Sequence, residues 1–255
     1  RDNESIVIAA VQNLPYALRH ASWRLRNCEE LVLKVVQING RVLGCVSDRL
    51  RDNKKIVLAA VQQDAFALNH ASDRLKDDDD VVWTAVQQNA EVFDHCISAR
   101  LRDNKELALF ALGGYGFGFE FVSDRLKDDP DIVLAHLRNI AATNFHTGYC
   151  DQHLENLIPS KFRDDEVFVR QAVQIYGWVL SCVSERLKND RQVLLLAAAQ
   201  NAYIFGRVFD QYKLKADVKN LDFLKDFLML CKEIPGDACL TYIFGSSLFS
   251  KLDLQ

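Results

Sequence analysis

The chain has 255 residues, 49% of them hydrophobic, and a formal net charge of −4. Apolar residues suffice for a large core, while the slightly acidic balance argues against a general nucleic-acid binder, which carries a basic excess. No run of about 18 apolar residues is present, so no membrane span is expected, and no signal peptide is visible.

From the first residue the sequence repeats itself. Arg51 to Leu75, RDNKKIVLAAVQQDAFALNHASDRL, aligns with Arg1 to Leu25, RDNESIVIAAVQNLPYALRHASWRL, at most positions. Copies begin at Arg1, Arg26, Arg51, Lys76, Arg102, Lys127, Arg163 and Lys188. The length admits one long domain or two compact ones, and repetition favours one array over 1–212, because stacked repeats share a continuous core. The chain opens with Arg1 inside a copy and without an initiator Met, as expected of a processed chain or of a piece of a longer one.

Each copy starts with a basic residue and a polar pair such as Asp52-Asn53, Asp77-Asp78 or Asp164-Asp165. Short acceptors of this kind cap helix N-termini, where backbone N–H groups lack partners. An apolar run follows, Ile56 to Val61 in the third copy, too apolar for a helix covered on one side only. The helix stops at a polar turn, Gln37-Ile38-Asn39-Gly40, where Gly40 is expected to take a left-handed conformation. Gly116 and Gly177 fall at the same place, and Pro15 breaks the first copy there. A brief second helix carries Leu68, Ala71, Ser72 and Leu75 on one face. Two short helices per copy predict an all-α fold, an α-solenoid of short two-helix repeats.

The fourth copy holds one extra residue near Ile97. The sixth carries an insertion near 138–158, and insertions in repeat arrays emerge on one face. From Tyr212 onward the repeat dissolves, and 213–255 is expected to form a C-terminal helical cap, with apolar segments Leu221–Cys231 and Ile243–Leu252.

Seven cysteines, at 28, 45, 96, 150, 182, 231 and 239, form no C-x-x-C pair and are odd in number. They read as free thiols of a cytoplasmic or other reducing compartment.

The apolar run Ile56 to Gln63, the segment from Ala67, and capping triplets such as Lys76-Asp77-Asp78 resemble a helical repeat family of uncharacterised function. It is found in bacterial proteins, effectors of intracellular pathogens among them, and in protist proteins. The resemblance runs from about Arg1 to Tyr212 and excludes the tail. It implies a helical array and supplies no catalytic residues.

Several columns of equivalent residues are candidate sites. Arg24, Arg49, Arg74, Arg100, Arg125 and Arg186 each precede the leucine that ends a copy. They read either as an anion or phosphate ladder or as partners of nearby carboxylates such as Asp48, Asp73, Asp124 and Glu185. Just after the inter-helix turn stand Tyr16, Arg41, Phe66, Glu91, Phe117, Trp178 and Tyr203. A position that accepts such different side chains is not deep core, and exposed aromatics anchor protein interfaces; alternatively each ring packs on the next turn. This column is the expected partner-binding ridge.

His20, Cys45, His70, His95 and Cys182, with Phe121 and Arg207, form a third column. Its members stand a helix diameter apart, too far to share one ion. In the insertion, His146, Cys150 and His153, with Asp151 nearby and His136 upstream, have spacing that admits zinc or a Cys–His pair. Gly148 breaks the helix that this spacing needs. Gly113-Gly114-Tyr115-Gly116-Phe117-Gly118 lacks the lysine and preceding strand of a phosphate loop and reads as a loosened turn. The expectation is a non-catalytic protein-binding scaffold without cofactor. A metal or thiol enzyme centred on residues 136–153, and single-stranded RNA binding, are the alternatives.

Overall fold

The computed structural model describes residues 2–114, 118–143 and 158–200, and their regular secondary structure is all helical, with no strand among them. The chain divides into two compact bodies, Arg1–His136 and Leu137–Gln255. Repetition predicts an array over 1–212; the border between the two bodies falls at the start of the insertion. The expected cap over 213–255 lies outside the described residues.

The apolar runs form the long helices: α1 Glu4–Asn13, α2 Glu29–Ile38, α3 Lys54–Gln63, α4 Asp79–Gln88, α5 Lys105–Gly113, α6 Pro130–Thr143, α7 Glu166–Ile175 and α8 Arg191–Gln200. Their starts are fixed by the second member of the polar pair. The side-chain oxygens of Asn53, Asp78, Asn104 and Asp165 accept from the N–H groups of Ile56, Val81, Leu107 and Phe168 at 3.1–3.3 Å. Their ends are fixed by residues with extended backbone: Leu14, Asn39, Asp64, Asn89 and Tyr176. In α3, Ile56, Val57, Ala60 and Val61 are all fully buried. Residues at i, i+1, i+4 and i+5 span a wide arc, so the helix is covered on two flanks. Each larger side chain so buried contributes about 1.5–3 kcal/mol.

The expected second helix is divided in two. Its first part is a six-residue 3-10 segment: Pro15–His20, Gly40–Cys45, Ala65–His70 and Gly177–Cys182 in the respective copies. In a 3-10 helix residues three apart eclipse one another. Gly40, Leu43 and Val46 are accordingly buried in a row, as are Ala65, Leu68 and Ala71. The backbone then extends at Ala21, Val46 and Ala71, and a short helical turn follows, such as Trp23–Arg26, Asp48–Arg51 or Asp124–Lys127. The extra residue of the fourth copy is absorbed here. Val92–His95 is an α-turn in place of a 3-10 segment, and an α-turn holds more residues per turn.

Gly40 does not take the left-handed conformation expected of it; among the described glycines only Gly118 has positive φ. What requires glycine at 40 is proximity. A Cβ there would lie 2.2 Å from the carbonyl oxygen of Ala60 in the next copy.

Within Arg1–His136, α1 packs on α2, α2 on α3, α3 on α4 and α4 on α5, and the 3-10 segments pack in the same order from Pro15–His20 to Ala65–His70. In the second body α7 packs on α8.

Candidate functional site

The arginine column is part of a repeated clasp between short turns. Arg74 Nε donates to Asp52 Oδ1 at 3.0 Å, and its Nη2 donates to the carbonyl oxygen of Asp52 at 2.7 Å. The Ser72 hydroxyl donates to the same Oδ1, and Ser72 N–H donates to the carbonyl of Arg51 at 3.0 Å. Arg24, Arg100, Arg125 and Arg186 repeat the side-chain pattern on Asp2, Asp77, Asp103 and Asp164. Arg49 makes it with Asn27, through Oδ1 at 3.0 Å and the carbonyl at 2.8 Å. The partner is thus the first member of the polar pair, about twenty residues upstream, and not the acidic residue adjacent in sequence.

The serine hydrogen bond, and after it the arginine, hold the carboxyls of Asp2, Asp52, Asp77, Asp103 and Asp164 below their usual range. These aspartates are therefore ionised and ready to neutralise the guanidinium groups. An incoming anion would compete with carboxylates already seated. Exposed ion pairs are weak because solvent screens them, but the clasp adds a backbone hydrogen bond at the same junction.

The column after the turn is mixed in exposure. Tyr16, Arg41 and Glu91 are exposed, whereas Phe66 and Trp178 are half-buried. Phe66 packs against the core. Arg41 Nε donates to Asp64 Oδ2 of the next copy at 2.6 Å, and that bond raises the arginine's pKa. The Arg19 guanidinium lies 5.5 Å from the centre of the Tyr16 ring. Phe117 and Tyr203 lie outside the described residues.

Glu91 borders an open groove of about 630 Å³, lined also by Gln87, Phe110, Gly113 and Gly114. Its cause is local. Gly113 and Gly114 stand where the preceding copy has Gln87 and Gln88, and a Cβ on Gly113 would meet nothing within 4 Å. The glycine run signals a lost side chain, but a groove depends on the neighbouring copy, which the run itself does not describe.

In the His/Cys column, His95 meets Phe121 edge-to-face at 5.9 Å, and Cys45 and Cys182 are buried. Cys28, Cys45, Cys96 and Cys182 are free thiols. Burial pushes the Cys96 thiol up to about 11. No group of three potential metal ligands occurs among the described residues. His146, Cys150 and His153 lie outside them, as do Asp151 and Arg207.

Two polar groups stand out in the structure: His136, named above only as a neighbour of the insertion, and Asp94. His136 occupies the α6 position equivalent to Ala60 and Ala85, stacks on Phe119 at 4.2 Å, and is held by burial to a pKa of about 4. Asp94 is buried with Oδ1 unpaired, and burial raises its pKa. At His136 the signal is a polar residue where the other copies have alanine or valine; Asp94 carries no such signal, since its equivalents include Arg19 and Asn69.

These features define an all-helical protein of tandem units joined by a repeated polar clasp. A domain of unknown function (DUF4116) matches residues 28–74, 53–102 and 165–213, and the chain is similar to that family over those stretches. Each match spans about two successive copies, the smallest piece that contains a complete junction. No curated protein and no solved structure matches the chain. No helix among the described residues is long and apolar enough to cross a membrane.

Proposed function

We propose that the chain is a non-catalytic scaffold, an α-solenoid closed by a C-terminal helical cap, that binds an extended protein partner along the ridge of Tyr16, Arg41, Phe66, Glu91 and Trp178. One observation carries this reading. The buried positions and the clasp keep their residue types from copy to copy, while the position after the turn changes from aromatic to basic to acidic and stays at least partly exposed. Units that hold their core and vary on one ridge present a different side chain at each step along a partner. Aromatic and arginine side chains are the usual anchors of such contacts. The free thiols of the four described cysteines fit a reducing, cytoplasmic setting, and the resemblance to effector and protist repeats fits a host protein as partner.

The test is a pull-down from host-cell extract with mass spectrometry, using this chain and a variant carrying Tyr16→Ala, Arg41→Ala and Glu91→Ala. These residues are exposed, so the variant should retain its helicity. The reading expects partners captured by the unchanged chain and lost by the folded variant. Identical captures by both would remove the ridge from the binding surface.

A further inference from the structure

The groove beside Glu91 lies where a repeated side-chain contact is missing. At two earlier junctions the glutamine that ends a long helix reaches back to the preceding copy. The Gln63 carboxamide oxygen accepts from Gly40 N–H at 2.8 Å, and Gln88 Nε2 donates to the carbonyl oxygen of Gln62 at 2.9 Å. The preceding copy thus offers a backbone donor and a backbone acceptor, a pair that suits one carboxamide. At the first junction the corresponding residues are Pro15, which has no N–H, and Ile38, which has no carboxamide.

At the fourth junction the preceding copy keeps its half of the contact. The counterparts of Gly40 N–H and the Gln62 carbonyl are Ala90 N–H and the Gln87 carbonyl, and neither makes a hydrogen bond among the described residues. The counterpart of Gln63 and Gln88 is Gly114. It still faces the turn, since a Cβ on it would lie 3.0 Å from Ala90 Cβ, but it carries no amide. The space that remains is the groove of about 630 Å³, a volume in the range of ligand pockets. Phe110 walls it, where other copies have Ala59 and Thr84. That residue is 45% exposed, and Trp83 meets its ring edge-on at 5.7 Å. Among the described residues of the lining, Glu91 alone is charged.

We infer that this groove seats a glutamine of an extended partner segment. Its carboxamide accepts from Ala90 N–H and donates to the Gln87 carbonyl, its methylenes lie on Phe110, and a basic residue beside it pairs with Glu91. The inference rests on the reading of the chain as a scaffold for an extended protein and adds the chemistry of one step along it. Leucine lacks both polar groups and glutamate cannot donate, so each would leave a backbone group unpaired.

Titration of the full chain with the blocked pentapeptide Ala-Lys-Gln-Ala-Ala, read by fluorescence anisotropy, tests this. The glutamine peptide should bind about tenfold or more tightly than forms with leucine or glutamate in its place, because a site that hydrogen-bonds a group rejects analogues without it. Exchanging its lysine for glutamate should weaken binding. Gly114→Gln should abolish binding, because the chain then supplies its own carboxamide. Ala65 and Gln88 already give the same combination of residue types one junction earlier, so this variant should fold. If it does not, NMR of the unchanged chain decides: the Ala90 N–H resonance should move with the glutamine peptide and stay with the leucine one. No binding of the glutamine peptide at about 1 mM, a concentration that detects even contacts near −4 kcal/mol, would overturn the inference. So would equal binding of the glutamine and leucine forms, or unchanged binding to a folded Gly114→Gln chain. Partners captured from extract by the Gly114→Gln chain but lost by the ridge variant would overturn the groove and leave the scaffold standing.

Discussion

At the scale of single residues, two glycines at similar turns have opposite roles. A Cβ on Gly40 would press into the Ala60 carbonyl oxygen, whereas one on Gly113 would enter open space. Gly40→Ala is expected to destabilise the chain by about 1–3 kcal/mol, the usual cost of overpacking. Gly113→Ala, at the end of α5, should stabilise it by about 0.5–1 kcal/mol, since alanine loses less backbone entropy in a helix. Urea denaturation of both variants checks the sign as well as the size. The sequence marked both positions as turns. It could not tell them apart, because the deciding atom at 40 belongs to a residue twenty positions away.

His136 makes a second residue-scale prediction. Its folded pKa of about 4 lies below the ordinary 6.5, so the folded state favours the neutral ring. That contribution is complete above pH 6.5 and is lost as pH falls toward 4. An NMR titration should show the ring uncharged at pH 5.5, and His136→Phe, if it folds, should weaken the pH dependence in that window. Titration at the ordinary value would mean that the ring is not held in its stack on Phe119.

At the scale of elements, the long helices were the most legible part. Apolar spacing placed α3, and the polar pairs placed its start, although only the second residue of each pair caps the helix. The first residue serves the clasp, a role that required knowing what lies across the junction. The 3-10 segments escaped because Leu68, Ala71 and Leu75 suit either helix type at spacings of three and four. Only the full row of Ala65, Leu68 and Ala71, repeated at Gly40, Leu43 and Val46, carries a strict period of three. The arginine column was readable as a column, but its carboxylates were sought beside it in sequence instead of about twenty residues upstream.

The clasp also sets the behaviour of its elements in acid. Five of its aspartates have lowered pKa values. Their contribution is therefore present above the ordinary 3.8 and disappears as pH falls below it. Urea denaturation should show stability holding down to about pH 4, so far as these groups control it, and declining below that. Ser123→Ala removes both the cap on Leu126 N–H and the bond to Asp103. It should cost about 1 kcal/mol at neutral pH and less below the aspartate range; an equal cost at pH 3 would leave only the cap.

At the scale of the whole molecule, repetition announced the architecture and the insertion announced its interruption. Copies that begin 25 or 26 residues apart give way to a gap of 36 between Lys127 and Arg163, and the border between the two bodies falls inside that gap. The column proposed as a partner-binding ridge was legible as a column but not in its exposure, since the half-buried state of Phe66 and Trp178 depends on contacts that their own copies do not reveal.

The clasp has a mechanical consequence. Within Arg1–His136, adjacent short turns are pinned by a backbone hydrogen bond from a serine N–H to the carbonyl of the residue before the clasp acceptor. Tension applied through the chain ends loads these pins, and opening one releases a single repeat of slack. At about 3.3–3.6 Å per extended residue, 25 residues give roughly 80–90 Å of contour. An optical trap should record yielding in increments of that length within this body, and Ser72→Ala, which keeps the backbone pin but removes the hydroxyl bond to Asp52 beside it, should lower the force of one increment while leaving the length of every increment unchanged.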